Sequence, residues 1–134
     1  MPLADLAAKI KLMHEKMEVA KTLAAETASE GEVGMRAGAS IIYNRSVKKG
    51  KTPFEIITDT KSPFYGTTNK NRDKLYQQVK PTVDKIVDEI YQGKFKDTVG
   101  GAEYIRQPTE KIRKWHGEET VRIGNHIFHK ERVK

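Results

Sequence analysis

The N-terminal segment places apolar side chains at alternating intervals of three and four residues. Because an α-helix repeats every 3.6 residues, these side chains lie along one face, and Lys and Glu cover the rest of the surface. We predict a helix whose apolar face packs into the core. A coiled-coil seam is the alternative, because the spacing continues for three heptads. The apolar positions are Leu3, Leu6, Ile10, Met13, Met17, Ala20 and Ala24.

A second helix is predicted after an interruption at Ser29 to Glu32. Gly31 weakens a helix by about 1 kcal/mol, and Ser29 can cap the helix that follows. Small apolar residues from Val33 to Tyr43 form one face of this helix and indicate close packing. The basic residues Lys48 and Lys49, followed by Gly50, are typical of a helix end.

Two further helices are indicated in the middle of the chain. Thr52 to Ile57 predicts a short helix with Pro53 at its first position, where a missing N–H costs nothing. Apolar residues recur with helical spacing from Leu75 to Ile90. Pro81 inside that span predicts a kink or a fresh helix start, and Gly93 closes it.

The loop between these helices, from Asp59 to Arg72, is rich in turn-forming residues. It carries two aromatic residues, Phe64 and Tyr65, which we expect to be exposed. Loops of this kind often bind ligands.

The last third of the chain has the pattern of short strands. Residues 99–105 predict a turn that leads into an extended segment, and residues 121–128 predict a hairpin around Gly124 and Asn125. The expected fold class is therefore α+β, mainly helical, with a small C-terminal antiparallel sheet. A length of 134 residues fits a single domain over residues 1–134.

Composition narrows the chemistry. The chain has no cysteine, which excludes disulfide scaffolds, thiolate zinc sites and cysteine redox chemistry. A net charge of +7 predicts attraction to polyanions, among them nucleic acid, anionic membrane surfaces and bacterial wall polymers. Charged residues interrupt every apolar run before the roughly 18 residues that a membrane span needs, so we expect no transmembrane segment and no signal peptide.

Glu26 is the carboxylate that the sequence singles out. Its neighbours are nearly all apolar or small, and helical spacing aligns it with Val19 and Leu23. A carboxyl group desolvated against such residues resists ionisation, as a general acid requires. The alternative is a solvent-facing Glu that ends a helix. Glu30, one turn further on, could form a carboxylate pair with Glu26 of the kind used in glycoside hydrolysis.

Other catalytic signatures are missing from the sequence. The four histidines, His14, His116, His126 and His129, do not form a zinc pattern, and no nucleophile-elbow, phosphate-loop or dinucleotide motif occurs. We therefore expect carboxylate chemistry with no metal and no cofactor.

The sequence gives little support to a nucleic-acid-binding protein. Basic residues are spread along the chain and do not gather on one recognition helix, so a solvated surface explains them. Tyr76, Tyr91 and Tyr104 could stack on bases, although aromatic residues at such positions usually belong to the core. Trp115 is either an anchor of a small core or a platform for a sugar ring.

The residues from Ala25 to Arg45 read AETASEGEVGMRAGASIIYNR, which resembles the opening signature of the SleB- and CwlJ-type cell wall hydrolases. Later elements of that family follow in order, so that the resemblance runs from about Leu12 to Phe128. The matching positions are Glu26, Glu30, Gly34, Asn44 and Arg45, then Thr52–Phe54 with Ile56, Gly100–Ala102 with Tyr104, Trp115, and Ile123–Phe128 with His126.

The resemblance implies a compact lysozyme-like or transglycosylase-like domain. Its substrate would be the peptidoglycan glycan strand, cleaved at the β-1,4 bond between N-acetylmuramic acid and N-acetylglucosamine. Glu26 becomes the inferred catalytic acid, supported by residues that position it or bind glycan. These supporting residues are Glu30, Asn44, Arg45, Phe64, Tyr65, Tyr104, Trp115 and His126. The family's Gln-Phe-Ser loop is here Pro63, Phe64 and Tyr65, which keeps the aromatic ring and loses the amide.

Two mechanisms follow from the resemblance. It favours a lytic transglycosylase, in which the muramyl 6-hydroxyl captures the reactive centre and Glu26 turns from acid to base. A muramidase with Glu30 as a second carboxylate is the competing version. We expect Glu30 to orient the site instead, through hydrogen bonds to Arg45 or Tyr104.

A short, basic chain without a leader resembles a phage endolysin or a virion-associated lysin, and we expect it to act as a monomer. The rival interpretations are a non-catalytic wall-binding or virion module with the same fold, and a small nucleic-acid-binding protein.

Overall fold

The computed structural model describes residues 2–61, 64–106, 109, 117–124 and 126–130. Within these residues, four α-helices precede a three-stranded antiparallel sheet, which confirms the α+β class with a small C-terminal sheet. The elements are α1 (Leu3–Thr27), α2 (Gly31–Lys49), α3 (Pro53–Ile57), α4 (Arg72–Tyr91), β1 (Tyr104–Arg106), β2 (Glu118–Ile123) and β3 (His126–Lys130). A 3-10 turn covers Ala28–Glu30 and another covers Tyr65–Thr67.

Helix α1 exists as predicted, but its apolar face is buried only in the C-terminal half. Val19, Ala20, Leu23 and Ala24 are fully buried. The prediction that the whole face packs into the core is wrong for the turns before Val19, where the apolar side chains stay exposed although His14 and Lys16 contact α3 and α4 at their edge. The exposed apolar residues before Val19 are Leu3 (83% exposed), Leu6, Ile10, Leu12, Met13 and Met17.

Helix α2 begins at Gly31, directly after the 3-10 turn. Its N-cap residue is Glu30, which caps no backbone N–H with its side chain, so the predicted cap at Ser29 is wrong. The predicted C-terminal end is confirmed, since α2 stops at Lys49 and Gly50 takes a left-handed conformation with φ of 64°. Small side chains on α2 are buried, as expected for close packing.

The two later helices surround the main core. Helix α3 starts with Pro53 at its first turn, as predicted, and buries Ile56 and Ile57. Helix α4 continues through Pro81 as one element, so the helix does not start afresh there. Both helices contribute side chains to a cluster that also includes α1 and α2. Among the described residues, no helix is long and apolar enough to cross a membrane.

The sheet has the order β1-β3-β2, with β3 in the centre. Strands β2 and β3 form the predicted hairpin, in which Gly124 has φ of 57°; Asn125 lies outside the described residues. Phe128 on β3 pairs with Ile105 and is buried against α2 in a second apolar cluster. This packing holds the hairpin beside the start of α2.

Candidate active site

A pocket of about 730 Å³ opens between the end of α1, the start of α2, the Phe64 loop and the β2–β3 hairpin. Its size is that of a small-molecule site, and its walls combine apolar side chains with a few polar groups. Five residues singled out in the sequence line it together: Glu26, Glu30, Phe64, Tyr65 and His126.

Glu26 lies in the last turn of α1 and faces this pocket. Its side chain is exposed, so the expected desolvation against Val19 and Leu23 is wrong. Those two residues point into the core, while the carboxylate reaches the open side of the helix end. One carboxylate oxygen, Oε1, accepts a hydrogen bond from the backbone N–H of Gly66 at 2.8 Å.

Gly66 contacts the candidate acid Glu26, and the sequence did not identify it. It lies in the 3-10 turn after Phe64 and packs directly on α1. A Cβ atom at this position would lie 2.3 Å from the carbonyl oxygen of Thr22, so only glycine fits without movement of the backbone. The close approach brings the Gly66 N–H within reach of Glu26. A glycine beside two loop aromatics was the only signal in the sequence.

Glu30 pairs with His126, through a contact between its Oε1 and the imidazole Nε2. Both side chains are about three-quarters buried, and both line the pocket. The pair joins the 3-10 turn after α1 to the start of β3. The sequence predicted Arg45 or Tyr104 as the partner of Glu30. It named His126 as a supporting residue but did not predict that His126 pairs with Glu30.

Asn44 and Arg45 connect α2 to the segment before the sheet and do not line the pocket. The Asn44 side-chain amide donates to the carbonyl oxygen of Ala102 at 2.8 Å. Arg45 Nε donates to the carbonyl oxygen of Glu103 at 2.7 Å. These bonds fix the start of β1 against α2.

The Arg45 guanidinium also lies between two aromatic rings. It is 5.0 Å from the centre of the Phe64 ring and 5.2 Å from that of Tyr104, within the range of cation–π attraction. Burial lowers the pKa of Arg45, while the nearby charges of Tyr104, Glu103, Asp59 and Glu26 act in the opposite direction. Arg45 therefore holds the Phe64 loop from behind the pocket.

The two loop aromatics differ in their surroundings. Phe64 is half-buried under Arg45, so the expectation that it is exposed is wrong. Tyr65 is 82% exposed at the pocket, as expected, and presents a free ring face to solvent. Trp115, the other candidate for a sugar platform, lies outside the described residues.

Comparison with known protein families places most of the chain in one of them. The model of the cell wall hydrolase family matches residues 29–129, which is most of the chain. The chain belongs to the cell wall hydrolase family. No curated protein and no solved structure showed significant similarity to it. A phage origin stays a prediction.

The family match contains Glu30, Phe64 and His126 and begins three residues after Glu26. It is thus shorter at the N-terminus than the resemblance traced from Leu12. Family membership supports a peptidoglycan-degrading enzyme, while the choice of Glu26 rests on its place in the pocket.

In the described part of this cell wall hydrolase, two carboxylates line the pocket and differ in their hydrogen-bond partners. Glu26 is held at one oxygen by a neutral N–H, whereas Glu30 is paired with an imidazole. No group of three metal-ligating side chains occurs among the described residues. The arrangement can transfer a proton from one carboxyl group to a ligand in the pocket.

Proposed function

We propose that this cell wall hydrolase cleaves the β-1,4 bond between N-acetylmuramic acid and N-acetylglucosamine, with Glu26 as the general acid. The main support is the Glu26 carboxyl group, which faces the pocket with Oε1 fixed by Gly66. Among the described residues, Oε2 accepts no hydrogen bond, so the proton can lie there. A positioned carboxyl group of this kind contributes about 10²- to 10⁴-fold to a rate.

In the proposed reaction, Glu26 gives its proton to the glycosidic oxygen as the bond from the muramyl C1 to that oxygen breaks. Positive charge develops on C1 and its ring oxygen. The muramyl 6-hydroxyl then bonds to C1 and returns its proton to Glu26. The product carries a 1,6-anhydro end, and the enzyme recovers its starting protonation state.

This lytic transglycosylase mechanism is supported by the state of Glu30. A second carboxylate that attacks C1 or activates water must be able to approach the substrate. The Oε1 of Glu30 is paired with His126, and that contact ties Glu30 to the link between the end of α1 and the hairpin. We assign Glu30 a positioning role.

A muramidase is the second candidate, because the same pair lines the pocket. A carboxylate–imidazole pair is a common arrangement for activating water as a general base. In that case water replaces the 6-hydroxyl, and the product has a reducing end. The two mechanisms differ in product and not in the role of Glu26.

The surroundings of the pocket fit a glycan strand. Tyr65 offers an exposed ring beside Glu26, and aromatic faces suit the apolar face of a sugar. The pocket is wide enough for part of a sugar chain. The net charge of +7 favours approach to anionic wall polymers.

The decisive test is digestion of purified peptidoglycan by the wild-type protein and by Glu26→Gln. Gln keeps the shape of the side chain and removes the transferable proton, so we expect the rate to fall about a hundredfold or more. Glu32→Gln is the matched control, since Glu32 is an exposed carboxylate at the start of α2 that does not line the pocket. Its activity is expected to equal that of the wild type.

Mass spectrometry of the soluble muropeptides distinguishes the mechanisms. Anhydro ends made by the wild type and lost in Glu26→Gln support the transglycosylase. Reducing ends support the muramidase, and Glu30→Gln then becomes the next variant to assay. Full activity in Glu26→Gln contradicts the assignment, and no product from the wild type favours a non-catalytic wall-binding module.

A further inference from the structure

We propose that Arg72 is a positioning residue for Glu26 and acts through the backbone of Gly66. The inference rests on the proposed role of Glu26 and extends it to a residue more than 40 positions away in the chain. Arg72 is the first residue of α4 and does not line the pocket. Its influence on the reaction would therefore pass through Gly66.

Arg72 ties three segments together. Its Nε donates to the carbonyl oxygen of Gly66 at 3.0 Å. Its terminal NH2 group donates to a carboxylate oxygen of Glu18 at 2.8 Å and lies 3.4 Å from the Glu18 carbonyl oxygen. Glu18 lies on α1, about two turns before Glu26. The start of α4, the Gly66 turn and α1 are thus joined by one planar guanidinium group.

Gly66 needs such contacts to keep its position. Glycine has the freest backbone of all residues, and no side chain anchors it in the packing. In this structure its carbonyl oxygen binds Arg72, its N–H binds Glu26, and its Cα lies against the Thr22 carbonyl group. The Gly66 N–H that binds Glu26 and the Gly66 carbonyl that binds Arg72 belong to two adjacent peptide groups. Arg72 is therefore the side chain that fixes the second of these groups.

The consequence concerns the orientation of the carboxyl group. The terminal torsion of a Glu side chain is broad, so an exposed carboxyl group rotates easily unless one oxygen is held. The Gly66 N–H holds Oε1 and so limits the rotation of the carboxyl group beside the pocket. A shift of about 1 Å in such a group can lower a rate a hundredfold, without any loss of substrate contacts.

The chain provides a matched control for Arg72. Arg36 donates to Glu89 at 2.9 Å, and the two side chains are 24% and 27% exposed. For Arg72 and Glu18 the distance is 2.8 Å and the exposures are 17% and 28%. Both ion pairs join two helices, but Arg36 makes no contact with the Gly66 turn among the described residues. Arg36→Gln therefore removes an inter-helix ion pair of similar geometry and exposure without touching the Gly66 turn, and it reports what the loss of such a pair does by itself.

The first measurement is steady-state cleavage of solubilised glycan strands. For Arg72→Gln we expect kcat to fall about tenfold or more, with KM within about twofold of the wild type, because substrate contacts are kept. For Arg36→Gln we expect both constants to stay at the wild-type values. Arg72→Lys keeps a cation for Glu18 but not the planar donor for Gly66, so it should restore stability more fully than kcat.

The second measurement is the NMR signal of the Gly66 amide, which does not depend on activity. An amide that donates to a carboxylate shifts its proton resonance as that carboxylate gains or loses its proton. We expect this titration in the wild type and in Arg36→Gln, a smaller amplitude in Arg72→Gln, and none in Glu26→Gln. A merely structural role for Arg72 would leave the amplitude unchanged.

The outcomes separate the two proposals. Loss of activity in Glu26→Gln together with equal kcat values in Arg72→Gln and Arg36→Gln overturns the role of Arg72 and leaves Glu26 in place. Full activity in Glu26→Gln contradicts the proposed function, while the amide titration still reports whether Arg72 positions the carboxyl group. An unchanged titration amplitude in Arg72→Gln overturns the inference whatever the kinetics.

Discussion

Gly34 and Gly38 lie one turn apart on α2, and both line the pocket. A Cβ atom on Gly34 would lie 2.3 Å from the Cβ of Glu30, and one on Gly38 would lie 2.8 Å from the Thr27 methyl carbon. Neither position accepts a methyl group without movement of a neighbour. These two residues therefore set the depth of the pocket and let the turn that carries Glu30 lie close to α2.

We expect Gly34→Ala to lower both stability and activity. In an open helix the change would stabilise by about 1 kcal/mol. Here the new methyl group collides with Glu30, and overpacking costs about 1–3 kcal/mol. Urea unfolding measures the change in the free energy of unfolding. Peptidoglycan digestion measures the loss of activity that we expect when Glu30 is displaced from His126. A variant more stable than the wild type would show that the contact is not tight.

At this scale the sequence was informative only where chemistry is local. Glu26 could be selected because its residue type and its neighbours are visible within one helix. Gly66 could not, since its importance comes from Thr22 and Glu26, which lie 40 or more positions earlier in the chain. The sequence predicted an exposed Phe64. Its cover could not be foreseen, because the Arg45 guanidinium that lies over the ring belongs to a different helix.

Among the elements, α3 shows most clearly how local sequence determines structure. The Thr52 hydroxyl accepts from the Glu55 N–H, and the Glu55 carboxylate accepts from the Thr52 N–H, which together form a capping box. With Pro53 at the first turn, this short helix is defined almost entirely by its own residues. It places Ile56 and Ile57 in the main core.

We expect Thr52→Ala to destabilise the protein by about 1 kcal/mol, because the helix loses its N-cap.

Hydrogen bonds from Thr52, the backbone N–H first, lower the pKa of Glu55. A carboxyl group whose folded pKa is lowered stabilises the fold above its unfolded pKa, and the effect is lost as the pH falls through the folded value. Thermal unfolding of wild type and Glu55→Gln should therefore differ at neutral pH and converge in acid; a constant difference would contradict this.

Helix positions were predictable from periodicity, but burial was not. The apolar spacing of α1 is the same along its whole length, yet burial of its apolar face begins only at Val19. Pro81 also fits within a continuous α4, although its position in the sequence predicted a kink or a fresh helix start. Spacing states which face of a helix is apolar; the length and placement of other elements decide whether that face is covered.

For the molecule as a whole, the net charge of +7 predicts how lysis depends on salt. We expect lysis of intact walls to slow as NaCl rises from about 0.05 to 0.3 M, because the screening length shortens over this range. Walls stripped of their anionic polymers serve as the control and should show a weaker dependence. If the rate depends equally on salt for both substrates, salt acts on the enzyme itself and not on its attraction to the anionic polymers, which contradicts this prediction.

The arrangement of the site was beyond prediction at this scale. Glu30 and His126 are separated by 96 positions, and their pairing depends on the sheet order, with β3 in the centre. The sequence indicated a hairpin and a candidate histidine, but not the face of α2 on which the hairpin lies. Pairing across such distances needs the complete tertiary structure.

The wide separation of the site residues along the chain also bears on folding. The walls of the pocket come from α1, α2, the loop at Phe64 and Tyr65, and the β2–β3 hairpin. No fragment that lacks the loop or the hairpin contains the complete pocket. A truncated or still incomplete chain therefore cannot form the whole site, which exists only once the most distant segments have met.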